Sequence, residues 1–338
     1  FYPDGQVYYK KLEHNVERFS RTPVAGIVVL GSTGEALMLS DQERRDVLKV
    51  ARQSAAPNKV LIAGTGIESA IETLRLTEYA AELGYDVAMV RTPHYYKKQM
   101  LPPNMLAFYR TVADRSPLPV IIYNFPQATG YDIPAEVVIE LAEHPNLIGI
   151  KESSGDVEKV RKMVEGTRHI RRSATVTETF DAVTPRMLVG ATAASQSAGE
   201  LIPVGALSGG TYSEGSDSDF SKQRRKSGHP SSKMGNPSLD EGRPSSAAVT
   251  VVGNMKTRQK EVGFQVLVGA AHKLQVSLDA GAVGAILAFA CPAPTACYEI
   301  YAGWKEGDAE LAALKQERIS KAAQRVGSEL GIPGLKYA

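Results

Sequence analysis

The sequence predicts an α/β fold, a (β/α)8 or TIM barrel in which each parallel strand is followed by a helix. Short apolar runs rich in Val, Ile and Leu alternate with longer amphipathic runs along the chain. Nearly continuous apolar strands separated by helices are typical of a parallel sheet that is buried on both faces. Seven such strands can be recognised, and they begin at residues 26, 59, 86, 119, 147, 264 and 283.

The strand count reaches eight if one strand precedes the opening helix. The chain starts with the helix-like run YYKKLEHNVERFS, so we expect the first barrel strand to be missing from the chain. A doubly wound open sheet is the alternative architecture. It is disfavoured because no GxGxxG motif follows the first visible strand.

Helices are predicted between the strands from amphipathic periodicity and from capping residues. Ser40, followed three residues later by Glu43, forms a capping-box pattern and predicts a helix that begins directly after it. Further helices are expected near residues 69–83, 104–114, 134–142 and 156–164.

Residues 170–263 interrupt the alternation between the sixth barrel helix and the seventh strand. The centre of this segment is rich in Ser, Gly, Pro and mixed charge, which predicts a disordered insertion or sequence from a faulty gene model. Residues 174–195 look more globular, and the locally basic SKQRRKSGHPSSK leaves a partner-binding tail as an alternative. The predicted parts are therefore 1–169, the first part of the barrel, 170–263, the insertion, and 264–338, the last two strands with a truncated C-terminal region.

Composition excludes some function classes. The 338 residues are 43% hydrophobic with a formal net charge of +2, which gives no electrostatic reason to expect nucleic acid or an anionic membrane as partner. No apolar run approaches the roughly 18 residues of a membrane helix. The six histidines lack metal-binding spacing, and Cys291 and Cys297 are interpreted as buried thiols. The compartment, mitochondrial or cytoplasmic, is left open because the chain begins at Phe1 without a methionine.

Two predicted neighbouring strands end in reactive side chains, Lys151 in LIGIK and Tyr123 in PVIIY. Strand alternation places Leu147, Gly149 and Lys151 on one face and Ile148 with Ile150 on the other. Lys151 would then point into the barrel near its C-terminal mouth, where active sites of this architecture lie, with room left by Gly149.

A lysine and a tyrosine at such a mouth suggest Schiff-base chemistry. An ammonium loses stabilisation where water is scarce, so the nucleophilic neutral amine becomes accessible and can attack a carbonyl. A neighbouring phenol could shuttle the protons. The alternative is that Lys151 is a surface charge and Tyr123 a half-buried core residue.

The loop GSTGEA after the first visible strand offers the hydroxyl and N–H groups of Ser32 and Thr33, which suit a carboxylate. It lacks the lysine of a P-loop, so nucleotide binding is a weak interpretation.

Together with PHYYKKQ, the motifs GSTGE, YNFPQATG and GIKESSGD resemble, in this order, those of the dihydrodipicolinate synthase / N-acetylneuraminate lyase family of class I pyruvate aldolases. The resemblance covers Phe1 to about Arg168 and Phe264 to Ala338. It implies a TIM barrel that assembles as a homotetramer or homodimer, acts on a small 2-oxo acid and needs no cofactor or metal.

The resemblance also implies site roles. Lys151 would form the Schiff base, and Tyr123 would be the acid/base. Ser32 and Thr33 would bind the carboxylate of the 2-oxo acid, with Ser32 in the proton relay. The remaining implied residues are Tyr95, inserted from a neighbouring subunit, Ser153, touching the second substrate half, and Ile286, lining the pocket through its backbone.

The subtype implied by the resemblance is a 4-hydroxy-2-oxoglutarate aldolase, which cleaves its substrate to pyruvate and an aldehyde such as glyoxylate. Dihydrodipicolinate synthases carry an arginine in YNxPxRTG that holds the carboxylate of aspartate semialdehyde. Ala128 occupies this position here, which puts that activity in doubt. Dihydrodipicolinate synthase activity and a catalytically dead 2-oxo-acid-binding barrel remain the alternatives.

Overall fold

The computed structural model describes residues 1–177, 183–197, 250–252 and 255–338 of the chain. The helices and strands are numbered in chain order. The strands are β1 Gly26–Val29, β2 Val60–Gly64, β3 Val87–Arg91, β4 Val120–Asn124, β5 Leu147–Glu152, β6 Arg172–Thr177, β7 Thr250–Val252, β8 Met255–Val262, β9 Gln265–Val268 and β10 Gly284–Ala285. The helices are α1 Tyr9–Ser20, α2 Asp41–Ser54, α3 Ala70–Glu82, α4 Pro102–Arg115, α5 Pro126–Thr129, α6 Ala135–Ala142, α7 Val157–Gly166, α8 Pro185–Ser197, α9 Leu274–Asp279, α10 Pro294–Lys305, α11 Ala309–Ala322 and α12 Gly331–Tyr337.

Seven of the strands form one curled parallel sheet in the order β1-β2-β3-β4-β5-β9-β10, with helices packed around it. The predicted TIM-barrel-like fold is confirmed. One large apolar core lies between the strands and the helices, while a smaller cluster that includes Ile62, Met89, Ile121 and Tyr123 fills the interior. The two sets of side chains alternate along each strand, because successive residues of a strand point to opposite faces.

Local signals in the sequence explain where several helices begin. Ser40 and Glu43 form the predicted capping box at the start of α2, with each side chain satisfying a backbone N–H of the other residue. Asp156 accepts a hydrogen bond from the backbone N–H of Lys159 and caps α7. The last strand is shorter than predicted, because β10 ends at Ala285 and a 3-10 turn follows at Ala288–Ala290.

The predicted insertion contains both described and undescribed residues. Strands β6, β8 and β7 form a separate three-stranded antiparallel sheet in that order. The disorder predicted for residues 178–182, 198–249 and 253–254 falls outside the described residues. The three-part division of the chain therefore stays a prediction.

Helix α8 contacts the barrel at the amino end of its strands. The guanidinium of Arg186 donates to both carboxylate oxygens of Asp86, at 3.2 and 2.9 Å, and also to the carbonyl oxygen of Lys59 at 2.6 Å. Asp86 lies just before β3, and its side chain is 3% exposed. This ion pair joins the helix to the face of the barrel opposite the strand ends that carry Tyr123 and Lys151.

Candidate active site

Lys151 reaches the interior of the sheet after a bulge in β5. Leu147 and Gly149 pair with consecutive residues of β4, which leaves Ile148 as an extra residue. Leu147 packs in the core beneath the helices, whereas Ile148 packs against the interior cluster. The prediction that Leu147 shares a face with Lys151 and that Ile148 faces the helices is therefore wrong, because the bulge reverses the alternation at this point.

Two glycines let β9 approach β5 closely. A Cβ on Gly149 would lie 2.3 Å from the carbonyl oxygen of Gln265, so the neighbouring backbone occupies the room that was predicted to be left for Lys151. A Cβ on Gly269 would lie 2.0 Å from the Ser153 hydroxyl oxygen. Ser153 lies two residues beyond Lys151, at the carboxyl end of the strands. The absence of a side chain on Gly269 lets the chain pass close to it.

The structure brings Lys151, Tyr123 and Ser32 together. The Lys151 side-chain nitrogen lies over the Tyr123 ring, 4.1 Å from its centroid. Lys151 is 8% exposed and Tyr123 is 4% exposed. The Tyr123 hydroxyl shares a hydrogen bond of 3.2 Å with the hydroxyl of Ser32. The interpretation of Lys151 as a surface charge is therefore wrong.

The loop that carries Ser32 and Thr33 has an unusual backbone conformation. Residues Ser32–Gly34 form a 3-10 turn between Leu30 at φ 61° and Glu35 at φ 54°, both in the left-handed region. The carbonyl of Leu30 approaches Gly64 so closely that a Cβ there would lie 2.3 Å from the oxygen. Non-glycine residues in this region cost free energy and cluster at functional sites. This strained turn holds the Ser32 hydroxyl against Tyr123.

Tyr95 does not join this group within the single chain. Its side chain is 74% exposed, and its ring packs edge-to-face on Tyr96. The carboxylate of Glu68 holds the loop by accepting the backbone N–H groups of His94, at 3.1 Å, and of Tyr95, at 3.3 Å. The loop therefore presents Tyr95 outward in an ordered conformation.

Arg91 and Cys291 are two residues at the mouth that the sequence interpretation missed. Arg91 pairs in register with Tyr123, and its guanidinium lies 3.5 Å from the Glu68 carboxylate. Burial lowers the pKa of Arg91, and the charge of Glu68 opposes that shift. Burial raises the pKa of the Cys291 thiol, while the positive charge of Lys151 acts in the opposite direction. Strand alternation puts Arg91 on the same face as Met89, so the sequence could have predicted that Arg91 faces the interior. Nothing in the sequence indicates that Cys291 is near Lys151.

The remaining predicted residues lie around the same end of the sheet. The backbone N–H of Ile286 donates to the carbonyl of Val268 at 2.9 Å, and the Ile286 side chain borders the interior cluster that contains Tyr123. Thr33 is half-buried in the same turn as Ser32. The backbone N–H of Ser153 donates to the carbonyl of Asn124 at 2.9 Å.

The described residues contain neither a membrane-spanning helix nor a cluster of metal ligands. None of their helices is both long and apolar enough to cross a membrane. No group of three or more His, Cys, Asp or Glu side chains in residues 1–177, 183–197, 250–252 and 255–338 is arranged to hold a metal ion.

The geometry supplies a nucleophile and a proton path. The amine of Lys151 is buried, the phenol of Tyr123 lies beside it, and the hydroxyl of Ser32 continues the path as the hydrogen-bond partner of Tyr123. A buried amine next to a proton donor is the arrangement that carbonyl addition requires.

Comparison with known proteins finds a family along the first two thirds of the chain and relatives over about half of it. A profile described as the Dihydrodipicolinate synthetase family matches residues 1–222. A 4-hydroxy-tetrahydrodipicolinate synthase of Methanosarcina barkeri is 38% identical over 168 residues, which are 49% of this chain and 56% of the relative. The synthase of Methanothrix thermoacetophila is 33% identical over 195 residues, 57% of this chain and 63% of the relative. The chain thus matches less than two thirds of the length of these relatives.

A solved structure shows the same fold. The chloride-inhibited dihydrodipicolinate synthase from Acinetobacter baumannii, complexed with pyruvate, superposes with a TM-score of 0.66 at 24% identity, over 99% of this chain and 82% of that one. This likeness concerns the fold. Membership is carried by the sequence profile, which spans most of the chain and includes the strands that hold Tyr123 and Lys151. The chain belongs to the Dihydrodipicolinate synthetase family.

Proposed function

We propose that this protein is a class I aldolase that cleaves 4-hydroxy-2-oxoglutarate, or a related 4-hydroxy-2-oxo acid, to pyruvate and an aldehyde such as glyoxylate. The observation that carries the proposal is the buried Lys151 amine, 4.1 Å from the centroid of the Tyr123 ring, with the Tyr123 hydroxyl bonded to Ser32. Membership of the family supports it.

The reaction would begin with attack of the neutral Lys151 amine on the keto carbon of the substrate. A C–N bond forms, the carbonyl oxygen receives a proton from Tyr123, and water leaves to give a protonated imine. Ser32, bonded to Tyr123 at 3.2 Å, would pass the protons, and Ser32 with Thr33 would bind the adjacent carboxylate.

Cleavage would use the imine as an electron acceptor. The C4 hydroxyl proton moves to Tyr123, the C3–C4 bond breaks, and its electrons enter the conjugated imine to form an enamine while the aldehyde leaves. Protonation at C3 and hydrolysis then return pyruvate and the free amine. The water lost in the first half is recovered in the second.

Assembly is part of the proposal. Tyr95 of a neighbouring subunit would complete the proton relay, in a homotetramer or homodimer. Two observations support this: Tyr95 is exposed, and Glu68 orders its loop in the single chain. The Ser153 hydroxyl would touch the aldehyde half of the substrate, and the backbone of Ile286 would line the pocket.

The second candidate is condensation of pyruvate with aspartate semialdehyde, which the names of the curated relatives favour. Ala128, on the exposed side of α5, argues against it because it carries no charge for the second carboxylate. The side chain of Lys97, from the loop after β3, reaches the end of α5, where its nitrogen would be 2.8 Å from a Cβ on Gly130. We assign Lys97 to the distal carboxylate of the cleaved substrate.

The assay that tests the activity measures both reactions on the purified chain. We expect pyruvate release from 4-hydroxy-2-oxoglutarate, and we expect a much slower condensation with aspartate semialdehyde. Faster condensation would assign the synthase activity instead. Stabilisation by pyruvate without turnover in either assay would identify a catalytically dead binding barrel.

Lys97→Ala tests the site of the distal carboxylate separately from the site that binds the pyruvate half. Its KM for 4-hydroxy-2-oxoglutarate should rise about tenfold, the effect of losing about 1.4 kcal/mol of binding. Covalent trapping of pyruvate, which has no distal carboxylate, should be unchanged. Lys98→Ala is the matched control on the same loop, and an equal effect of both variants would contradict the assignment.

A further inference from the structure

Asn124 and Glu152 directly follow Tyr123 and Lys151 on neighbouring strands. Tyr123 pairs in register with Lys151, and Asn124 pairs with Glu152. Because strand residues alternate, the second pair lies on the opposite side of the sheet from the reactive pair. Asn124 is 0% exposed and Glu152 is 2% exposed.

Every polar group of this pair is used. The Asn124 amide nitrogen donates to both carboxylate oxygens of Glu152 at 2.9 Å and to Asp132 at 2.7 Å. The Asn124 oxygen accepts the backbone N–H of Ile133 at 3.1 Å. Glu152 also accepts the backbone N–H of Ser154 at 2.6 Å.

A lysine from the next helix completes the group. The Lys159 nitrogen lies 3.2 Å from the Glu152 carboxylate and also pairs with Asp132. The four residues Asn124, Asp132, Glu152 and Lys159 are called the clamp below. Two carboxylates share one ammonium, so the clamp keeps one excess negative charge directly behind the strand that carries Lys151.

Stability alone does not explain the clamp. Buried ion pairs lose so much hydration that apolar residues of similar volume are often as stabilising, while removal of one partner is costly. What a buried pair can supply is a unique arrangement, because Asn124 and Glu152 face each other only when β4 and β5 are in one register. A slip by one residue would turn Lys151 to the other face.

The bulge in β5 lies just ahead of the residues that the clamp connects. The ladder between β4 and β5 is interrupted at Ile148, three residues before Lys151. Beyond the bulge, β5 pairs with residues 121–124 of β4 and with Gln265–Val268 of β9. The hydrogen bonds between Asn124 and Glu152 close this ladder at its last residue pair, next to Tyr123 and Lys151.

We propose that the clamp is a positioning device that holds the Lys151 amine over the Tyr123 phenol, with Glu152 as its central residue. Its catalytic consequence rests on the proposed function, but its geometric consequence does not. Glu152 acts through the strand backbone and does not touch the substrate.

Glu152→Gln tests the proposal, because a glutamine amide would bring a second donor toward the donating amide of Asn124. We expect kcat and the rate of borohydride trapping with pyruvate to fall about ten- to hundredfold, with KM changed less than about twofold. Glu136→Gln is the matched control, since Glu136 pairs with Lys162 between α6 and α7 on the surface. The control should keep wild-type values.

Hydrogen exchange separates failure of the clamp from failure of the proposed function. Amides of residues 150–154 should exchange at least tenfold faster in Glu152→Gln than in Glu136→Gln, whether or not the wild type reacts with pyruvate. If Glu152→Gln fails to fold, Lys159→Met, which keeps the Asn124–Glu152 hydrogen bonds, gives the same readouts with a smaller change. Unaltered exchange and trapping in the folded variants would overturn the proposal, as would a loss of trapping that is fully accounted for by unfolding.

Discussion

Two buried ion pairs lie at opposite ends of the same parallel sheet. At the carboxyl end, Glu152 and Lys159 join β5 to α7, directly behind Lys151. At the amino end, Asp86 and Arg186 join the start of β3 to α8. The side chains of both carboxylates are almost completely shielded from water, at 1% and 3% exposure.

The two pairs differ in what they connect. The pair at the carboxyl end belongs to a network between neighbouring strands. This network directly follows Tyr123 and Lys151 along the two strands. The pair at the amino end attaches a helix of the predicted insertion to the barrel, far from any residue of the proposed reaction. In this architecture the carboxyl ends of the strands carry the chemistry and the amino ends carry stability. We therefore expect changes at the two ends to have different readouts.

The largest effect on turnover among the variants that keep Lys151 is expected for Tyr123→Phe. Removal of the proton-transferring hydroxyl should lower kcat about 10²- to 10⁴-fold, with a small change in stability. Tyr131→Phe is the matched control, because the Tyr131 hydroxyl is buried without a hydrogen-bond partner among the described residues. Wild-type turnover in Tyr123→Phe would remove the proton shuttle from the mechanism.

Arg186→Ala should lower stability and leave turnover unchanged. It leaves the Asp86 carboxylate buried without its main cation, which should lower the free energy of unfolding by about 3 kcal/mol. The kcat of the folded fraction should be unchanged. Arg110→Ala, which breaks an exposed pair with Glu140, should cost less than about 1 kcal/mol. Denaturant unfolding measures both, and an equal cost would show that the buried pair stabilises the protein no more than an exposed pair does.

The smallest effect on the free energy of unfolding is expected from the buried thiol of Cys297, and it is seen at alkaline pH. Burial raises the pKa of Cys297 to about 12 from its ordinary value of 9.0. The unfolded thiol ionises first, so stability is complete below pH 9 and falls as the pH rises toward 12, by at most about 1.4 kcal/mol per pH unit from this group. Cys297→Ala should flatten this slope in unfolding measured between pH 9 and 10. An unchanged slope would show that ionisation of this thiol does not limit stability.

The reaction rate of Cys297 can also compare the stability roles of the two ends of the sheet. Its reaction with a thiol reagent at pH 8 requires opening of the fold, because the folded thiol stays protonated. Arg186→Ala should accelerate that reaction strongly, whereas Tyr123→Phe should not. Equal acceleration would mean that the two ends of the sheet share one stability role.

Sequence periodicity predicted the strands and the two reactive side chains, because apolar runs and the alternation of side chains along a strand are local features of the sequence. It placed Lys151 and Tyr123 on neighbouring strand ends, and the structure has them in register. It missed the bulge at Ile148, since an extra residue in a ladder leaves no mark in an apolar run. The clamp was missed for a related reason: Glu152 lies on the side of the sheet that was assigned to helix packing.

Long-range pairing was beyond local reasoning as well. Asp86 and Arg186 are 100 positions apart, and Arg186 lies in the part of the predicted insertion that looked more globular. Charge, length and composition carry no information about which distant residue meets a given carboxylate. The left-handed backbone at Leu30, which has no glycine to signal it, was hidden in the same way.

The most direct test of this account is borohydride reduction of the protein in the presence of pyruvate, followed by peptide mapping. We predict a stable adduct with the carbon skeleton of pyruvate on Lys151 and on no other lysine, and no adduct in Lys151→Ala. An intact protein with an unmodified Lys151, or an adduct that persists in Lys151→Ala, would contradict the account.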